Sequence, residues 1–126
     1  MPPASEMTGM HFAATSALPS NPPPAVDVSV GQGPAQNIYA MTLALPDFPD
    51  GTFNCPSDFG VVYNLTFFSG NAAAVTATLN PGGCRDVRIS GSTPTRRVLD
   101  DGYWASLAQQ LGVPESTIYP YLPPGL

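Results

Sequence analysis

The sequence predicts an α+β fold, an antiparallel sheet of four or five strands with two helices packed on one face and one disulfide. Three observations point there. Residues 61–68 and 75–79 alternate apolar and polar side chains on either side of a Ser69, Gly70, Asn71 turn, which is the pattern of a half-buried hairpin. Residues 34–45 and residues from Asp100 or Asp101 to Leu111 place apolar side chains at helical spacing. The two cysteines, Cys55 and Cys84, bracket the hairpin.

Taken in order, residues 1–24 form a Pro-rich leading segment, partly mobile, because Pro2, Pro3, Pro19, Pro22, Pro23 and Pro24 fix φ and remove donors. Within it, residues 10–18 supply one edge strand whose ionisable group is His11. Residues 25–113 form the single α+β domain. It opens on a strand over 25–30, with Val26, Val28 and Val30 on one face and Asp27 and Ser29 on the other. Gly33 is the expected cap and Pro34 the first residue of a helix of about three turns. Ile38, Met41 and Leu45 form its stripe, flanked by Tyr39 and Leu43, and Pro46 stops it. A turn-rich stretch then leads to the hairpin.

In the hairpin, Val61, Tyr63, Leu65 and Phe67 are the expected core face, and Val75, Ala77 and Leu79 return alongside them. Val87 and Ile89 mark a third strand, and residues 95–99 a further one. The second helix starts at Asp100 or Asp101 as N-cap, buries Trp104, Leu107, Ala108 and Leu111, and stops at Gly112, Val113, Pro114. Residues 114–126 are expected to be a Pro-rich extended tail.

A chain of 126 residues supports one core. Charged residues make up only 10%, lysine is absent, and the formal charge is -5 with a pI near 4.3. Such a chain lacks the clustered cations that neutralise phosphate, so general nucleic-acid binding is excluded. No apolar run reaches the roughly 20 residues of a transmembrane helix. MPPASEMTG reads as the polar spacer behind a removed signal or lipid anchor, so a secreted or cell-envelope location is expected. An even pair of cysteines at the ends of a hairpin fits a disulfide better than a metal site, with two buried thiols as the alternative. Closing that loop contributes about 3 to 4 kcal/mol in the chain-entropy account.

The succession Gly-Thr-Phe-Asn-Cys-Pro-Ser-Asp-Phe-Gly then Tyr-Asn-Leu-Thr-Phe, with Asn-Pro-Gly-Gly-Cys-Arg and Asp-Asp-Gly-Tyr-Trp further on, resembles a loosely defined group of secreted proteins and lipoproteins of unknown function from high-GC soil bacteria. The resemblance spans about residues 25–113. It implies an extracytoplasmic domain with Cys55 paired to Cys84, and it implies no reaction.

Catalysis finds little footing. Acyl transfer needs a nucleophile beside a base, and the chain has one histidine and no Gly-x-Ser-x-Gly elbow. Asp100 and Asp101 are adjacent at a helix start, where capping explains them better than glycosidase chemistry does. Asp47, Asp50, Asn54 and Asp58 lack the spacing of a calcium loop and fit turn chemistry. No catalytic residue, metal site or cofactor is therefore predicted.

What remains is surface. Arg85, Arg88, Arg96 and Arg97 are all the cations of the chain and fall within thirteen residues, although strand alternation lets at most two converge. Tyr103 and Phe68 lie off the predicted core faces and are the expected exposed aromatics. The function expected is a non-enzymatic extracytoplasmic binding or envelope-associated domain whose partner is a protein, peptide or glycan. A small secreted hydrolase inhibitor and an enzyme using scattered carboxylates are the alternatives.

Overall fold

The computed structural model describes residues 2–16, 27–48, 61–81, 85–91, 95–98 and 102–118. A 3-10 turn, Ala4–Glu6, leads to β1 (Gly9–Ser16), β2 (Asp27–Val30), α1 (Gln32–Leu43), β3 (Val61–Ser69), β4 (Ala72–Leu79), β5 (Asp86–Ile89), β6 (Arg96–Arg97), α2 (Gly102–Leu111) and a single helical turn α3 (Glu115–Ile118). The strands form one antiparallel sheet in the order β2-β1-β3-β4-β5-β6. The fold is α+β as expected, with six strands rather than four or five.

The hairpin is the spine of the sheet. Val61, Tyr63, Leu65 and Phe67 are all buried while the residues between them are half-buried. Val75, Ala77 and Leu79 of β4 and Val87 and Ile89 of β5 continue the same apolar face. Gly70 turns the chain at φ 63, a left-handed conformation that a side chain disfavours. The pairing then shifts between Phe67 and Phe68, which meet Val75 and Ala73, so that Ala74 is an extra residue forming a bulge.

Both helices cover this face. The Tyr39 ring of α1 meets Phe67 at 5.2 Å between centroids, and Trp104 of α2 meets Tyr63 at 6.1 Å, each edge-on. Asn37 donates to Gln110 across the two helices at 3.2 Å. The predicted face of α2, Trp104, Leu107, Ala108 and Leu111, is buried.

Four expectations are corrected. The strand expected at the edge is β1, and it is an inner strand paired to β2 on one side and along all eight of its residues to β3 on the other. Met10 and Phe12 point into the core, and Met7 ahead of them is also fully buried, so the packed body begins well before residue 25. Pro2 and Pro3 precede the strand and so leave its ladder intact. Secondly, α1 starts at Gln32 with Gly31 as its cap, and Ala35 N–H donates to the Gly31 carbonyl at 3.0 Å. Pro34 is tolerated because the first four N–H groups of a helix have no intrahelical acceptor. Its buried stripe is Ala35, Ile38, Tyr39 and Thr42, with Met41, Leu43 and Leu45 at its margin.

Thirdly, Tyr103 is buried rather than exposed, because α2 is gripped on one side by the sheet and on another by α1, where Thr42 meets its hydroxyl. Lastly, the chain after Pro114 turns into α3 and buries Ile118 completely. The predicted caps Asp100 and Asp101 lie outside the described residues. So do Cys55 and Cys84, and the described structure accordingly holds no disulfide.

Candidate functional site

With both helices on one side, the opposite face of the sheet is defined by register. The ladder aligns Ser29, His11, Thr66 and Thr76 in one cross-strand row, and Asp27, Ala13, Asn64, Thr78 and Arg88 in the next. Thr15 and Val62 belong to a third. Thr76, Thr78 and Arg88 are exposed, and His11, Val62, Asn64, Thr66 and Phe68 are half-buried. The centre of the face is thus small, uncharged and rich in hydroxyl and amide groups, with charge confined to its sides.

At the β2 side, His11 Nε2 lies 2.6 Å from Asp27 Oδ1. In the middle, Asn64 Nδ2 donates to Thr15 Oγ1 at 3.2 Å. Near the turn, Thr8 Oγ1 accepts from Gly70 N–H at 2.9 Å and lies 3.2 Å from the Phe68 carbonyl, which fixes the hairpin tip beside the half-buried Phe68 ring.

The β5–β6 side holds the arginines. Arg97 is paired with Asp86 in the ladder, so it shares the face opposite the helices with Asp86 and Arg88. Arg88 is largely exposed and its Nε lies 3.7 Å from Asp86 Oδ2. The Arg97 guanidinium lies 5.8 Å from the centroid of Phe48, and its Nε is buried without a hydrogen-bond partner among the described residues. Arg96 pairs with Val87 and so belongs to the helix side, with its backbone bridged to Asp47. Arg85, ahead of β5, adopts φ 55 and its carbonyl accepts from Val98 N–H at 3.0 Å. Of the predicted surface residues, the structure therefore brings Arg88 and Arg97 together, leaves Phe68 at the far corner, sets Arg85 and Arg96 apart, and puts Tyr103 in the core.

Two depressions meet at this side. One of about 340 Å³ is lined by Phe48, Asp86, Arg88 and Thr95. The other, of about 330 Å³, is lined by Val62, Thr78, Asn80, Asp86 and Arg88. The strand edge beyond them is closed, since Phe48 N–H donates to the Thr95 carbonyl at 2.7 Å and Arg97 N–H to the Pro46 carbonyl at 3.0 Å.

Two tyrosines titrate abnormally, both on the helix side. Burial pushes the Tyr103 phenol above its ordinary value, and its hydroxyl lies 2.8 Å from that of Thr42. Burial also raises Tyr39, with the Glu6 carboxylate adding to the shift, and its hydroxyl donates to the Pro2 carbonyl at 2.6 Å. Among the described residues no group of three or more His, Cys, Asp and Glu is placed to hold a metal ion.

Sequence reasoning missed the Thr66–Thr76 and Asn64–Thr78 pairs and the His11–Asp27 and Phe48–Arg97 contacts. Alternation marks the even-numbered positions of β3 as outward, but only strand order brings β1 beside them.

Fold and site together define a two-layer α+β protein with one sheet face under helices and the other carrying polar rows. No family model, curated protein or solved structure shows significant similarity to the chain. No described helix is long and apolar enough to cross a membrane.

Proposed function

We propose that the protein is a non-enzymatic binding domain that works in the extracytoplasmic space and takes a glycan on the face of the sheet opposite the helices. The observation that carries the reading is the pair of aligned rows through Thr66 and Thr76 and through Asn64 and Thr78, where hydroxyl and amide groups stand at fixed strand spacing. Such groups hydrogen-bond a polyol, and a preformed sheet binds without much loss of its own conformational freedom. The scarcity of charge and the absence of lysine in the sequence fit a sugar ligand better than a phosphate polymer.

Residence outside the cytoplasm goes with a Cys55–Cys84 disulfide, and a nonreducing mass measurement on oxidatively purified protein tests it. A mass two hydrogen atoms below the reduced chain is expected, and two free thiols overturn the assignment. Ligand binding is tested by titrating 15N-labelled protein with a panel of neutral and acidic oligosaccharides. Amide shifts are expected at Asn64, Thr66, Thr76 and Thr78, and a T76K/T78K variant that keeps its fold is expected to lose them. A panel that leaves these amides unmoved, or moves only those of the helices, overturns the reading.

A further inference from the structure

The face of the sheet opposite the helices ends at the β5–β6 side in a cationic corner, and we propose that Arg97 and Arg88 there bind the carboxylate of an acidic sugar. The inference rests on the glycan reading above and names the ligand class for that same surface.

Arg97 is the starting point. Its guanidinium lies 5.8 Å from the centroid of the Phe48 ring, its Nε is withdrawn from water, and among the described residues no partner accepts from that N–H. A buried donor without an acceptor costs about 1 to 3 kcal/mol, and because that Nε is shielded from solvent, a ligand would meet Arg97 at the outer nitrogens of its half-buried side chain. Asp86, directly across the ladder, does not supply one within ion-pair distance, and its Oδ2 lies instead 3.7 Å from Arg88. Arg88 is 76% exposed and its contact to Asp86 is long, so most of its donors face solvent. The two arginines are diagonal neighbours across the β5–β6 ladder, roughly 7–8 Å apart at the backbone and within converging reach of long side chains.

The charge count selects the anion. Two guanidiniums and the intervening Asp86 leave one net positive charge at the corner, which suits a singly charged group. A carboxylate matches the planar fork of a guanidinium, whereas a phosphate dianion would meet the Asp86 charge. The surroundings select the rest of the ligand. The two depressions share Asp86 and Arg88 and form a trough in which Thr95 lies on one side and Thr78 and Asn80 on the other, all of them groups that pair with sugar hydroxyls. A peptide would most readily add as a strand at the sheet edge, and that edge is occupied by the bonds of Pro46 and Phe48.

The test compares trigalacturonate with its methyl ester by amide-shift titration of the 15N-labelled protein, with R97Q, R97K and R88Q alongside and each variant's fold checked from its spectrum. Trigalacturonate is expected to move the amides of Thr78, Arg88 and Arg97 and to bind roughly tenfold more tightly than the ester, the scale of one charge-assisted contact. R97Q is expected to reduce acid binding to the level of the ester without weakening the ester, and R97K to recover only part of the loss. Equal binding of acid and ester on these amides overturns the carboxylate site and leaves the glycan reading standing. Binding of neither sugar overturns the carboxylate site, and the oligosaccharide panel then decides the glycan reading separately. A glutamate-rich hexapeptide that competes as strongly as the sugar acid overturns the assignment to a sugar.

Discussion

Thr42 on α1 and Tyr103 on α2 join their hydroxyls at 2.8 Å inside the helix layer, and the bond has a direction. Thr42 Oγ1 already donates its proton to the Ile38 carbonyl at 2.7 Å, so Tyr103 is the donor and Thr42 the acceptor. The two truncations are therefore unequal. Tyr103→Phe removes the donor and leaves Thr42 bonded to Ile38, at a cost of about 1 kcal/mol. Thr42→Val keeps the shape of the side chain but strands a buried phenol, at a cost of about 2 kcal/mol or more. The double variant is expected to be less destabilised than the sum. Urea unfolding of the four proteins measures all three values, and a Tyr103→Phe cost equal to or above that of Thr42→Val sinks the assigned direction.

The same phenol sets an alkaline limit. Tyr103 is raised above its ordinary value of 10.0 by burial, so above that pH the unfolded chain loses a proton that the folded chain keeps. The stability contribution is complete below pH 10 and is lost as pH rises from there toward the folded value. Each such proton steepens the decline by about 1.4 kcal/mol per pH unit. Tyr39 is raised in the same sense, so two residues share the limb. Unfolding free energies measured from pH 8 to pH 11 are expected to be flat and then to fall, and Tyr103→Phe is expected to make the fall shallower. An identical slope in wild type and variant rejects the role of Tyr103.

Phe12 tests the inner placement of β1. Its ring is fully buried and meets Tyr63 at 5.1 Å between centroids. Phe12→Ala is expected to cost about 3 to 5 kcal/mol, as for other buried aromatics, and a chain lacking residues 2–16 should not fold. An edge strand would tolerate both changes far better, so a variant within 1 kcal/mol of wild type, by the roughly 0.5 kcal/mol scale of surface substitutions, contradicts the topology.

The contrast between β1 and the hairpin shows what was legible. Val61, Tyr63, Leu65 and Phe67, and then Val75, Ala77 and Leu79, stand at every second position of the hairpin strands, and period alone assigns both their conformation and their buried face. In β1 the inward positions are Met10 and Phe12 and the outward ones His11 and Ala13, a pattern equally suited to an edge. Its central place follows from long-range pairing with β3, which no local pattern carries. Thr42 misled the reading of α1 in a similar way, since its polar group is buried only because Ile38 and Tyr103 satisfy it. The site was less legible than the fold. Alternation correctly limits how many arginines converge, but the identity of the pair, Arg88 with Arg97, depends on the register of β6 against β5. The partner of Arg97 is Phe48, a residue of a turn-rich stretch far away in sequence.

Ile118 carries the packed body past the helix-stop signature. Gly112, Val113 and Pro114 read as the close of the last helix, and Gly112 does take the left-handed φ of 74 expected after one. Yet α3 follows at once, with Thr117 N–H donating to the Pro114 carbonyl at 2.9 Å, and Ile118 is 0% exposed. A side chain so placed is part of the core rather than of a tail. Ile118→Ala is therefore expected to cost about 2 to 5 kcal/mol, and Thr117→Ala, on the half-buried side of the same turn, much less. Thermal unfolding of both variants provides the comparison. Equal and small shifts in Tm would mean that residues 115–118 do not belong to the cooperative unit, while a large shift for Ile118 alone extends that unit beyond the helix-stop signature at Pro114.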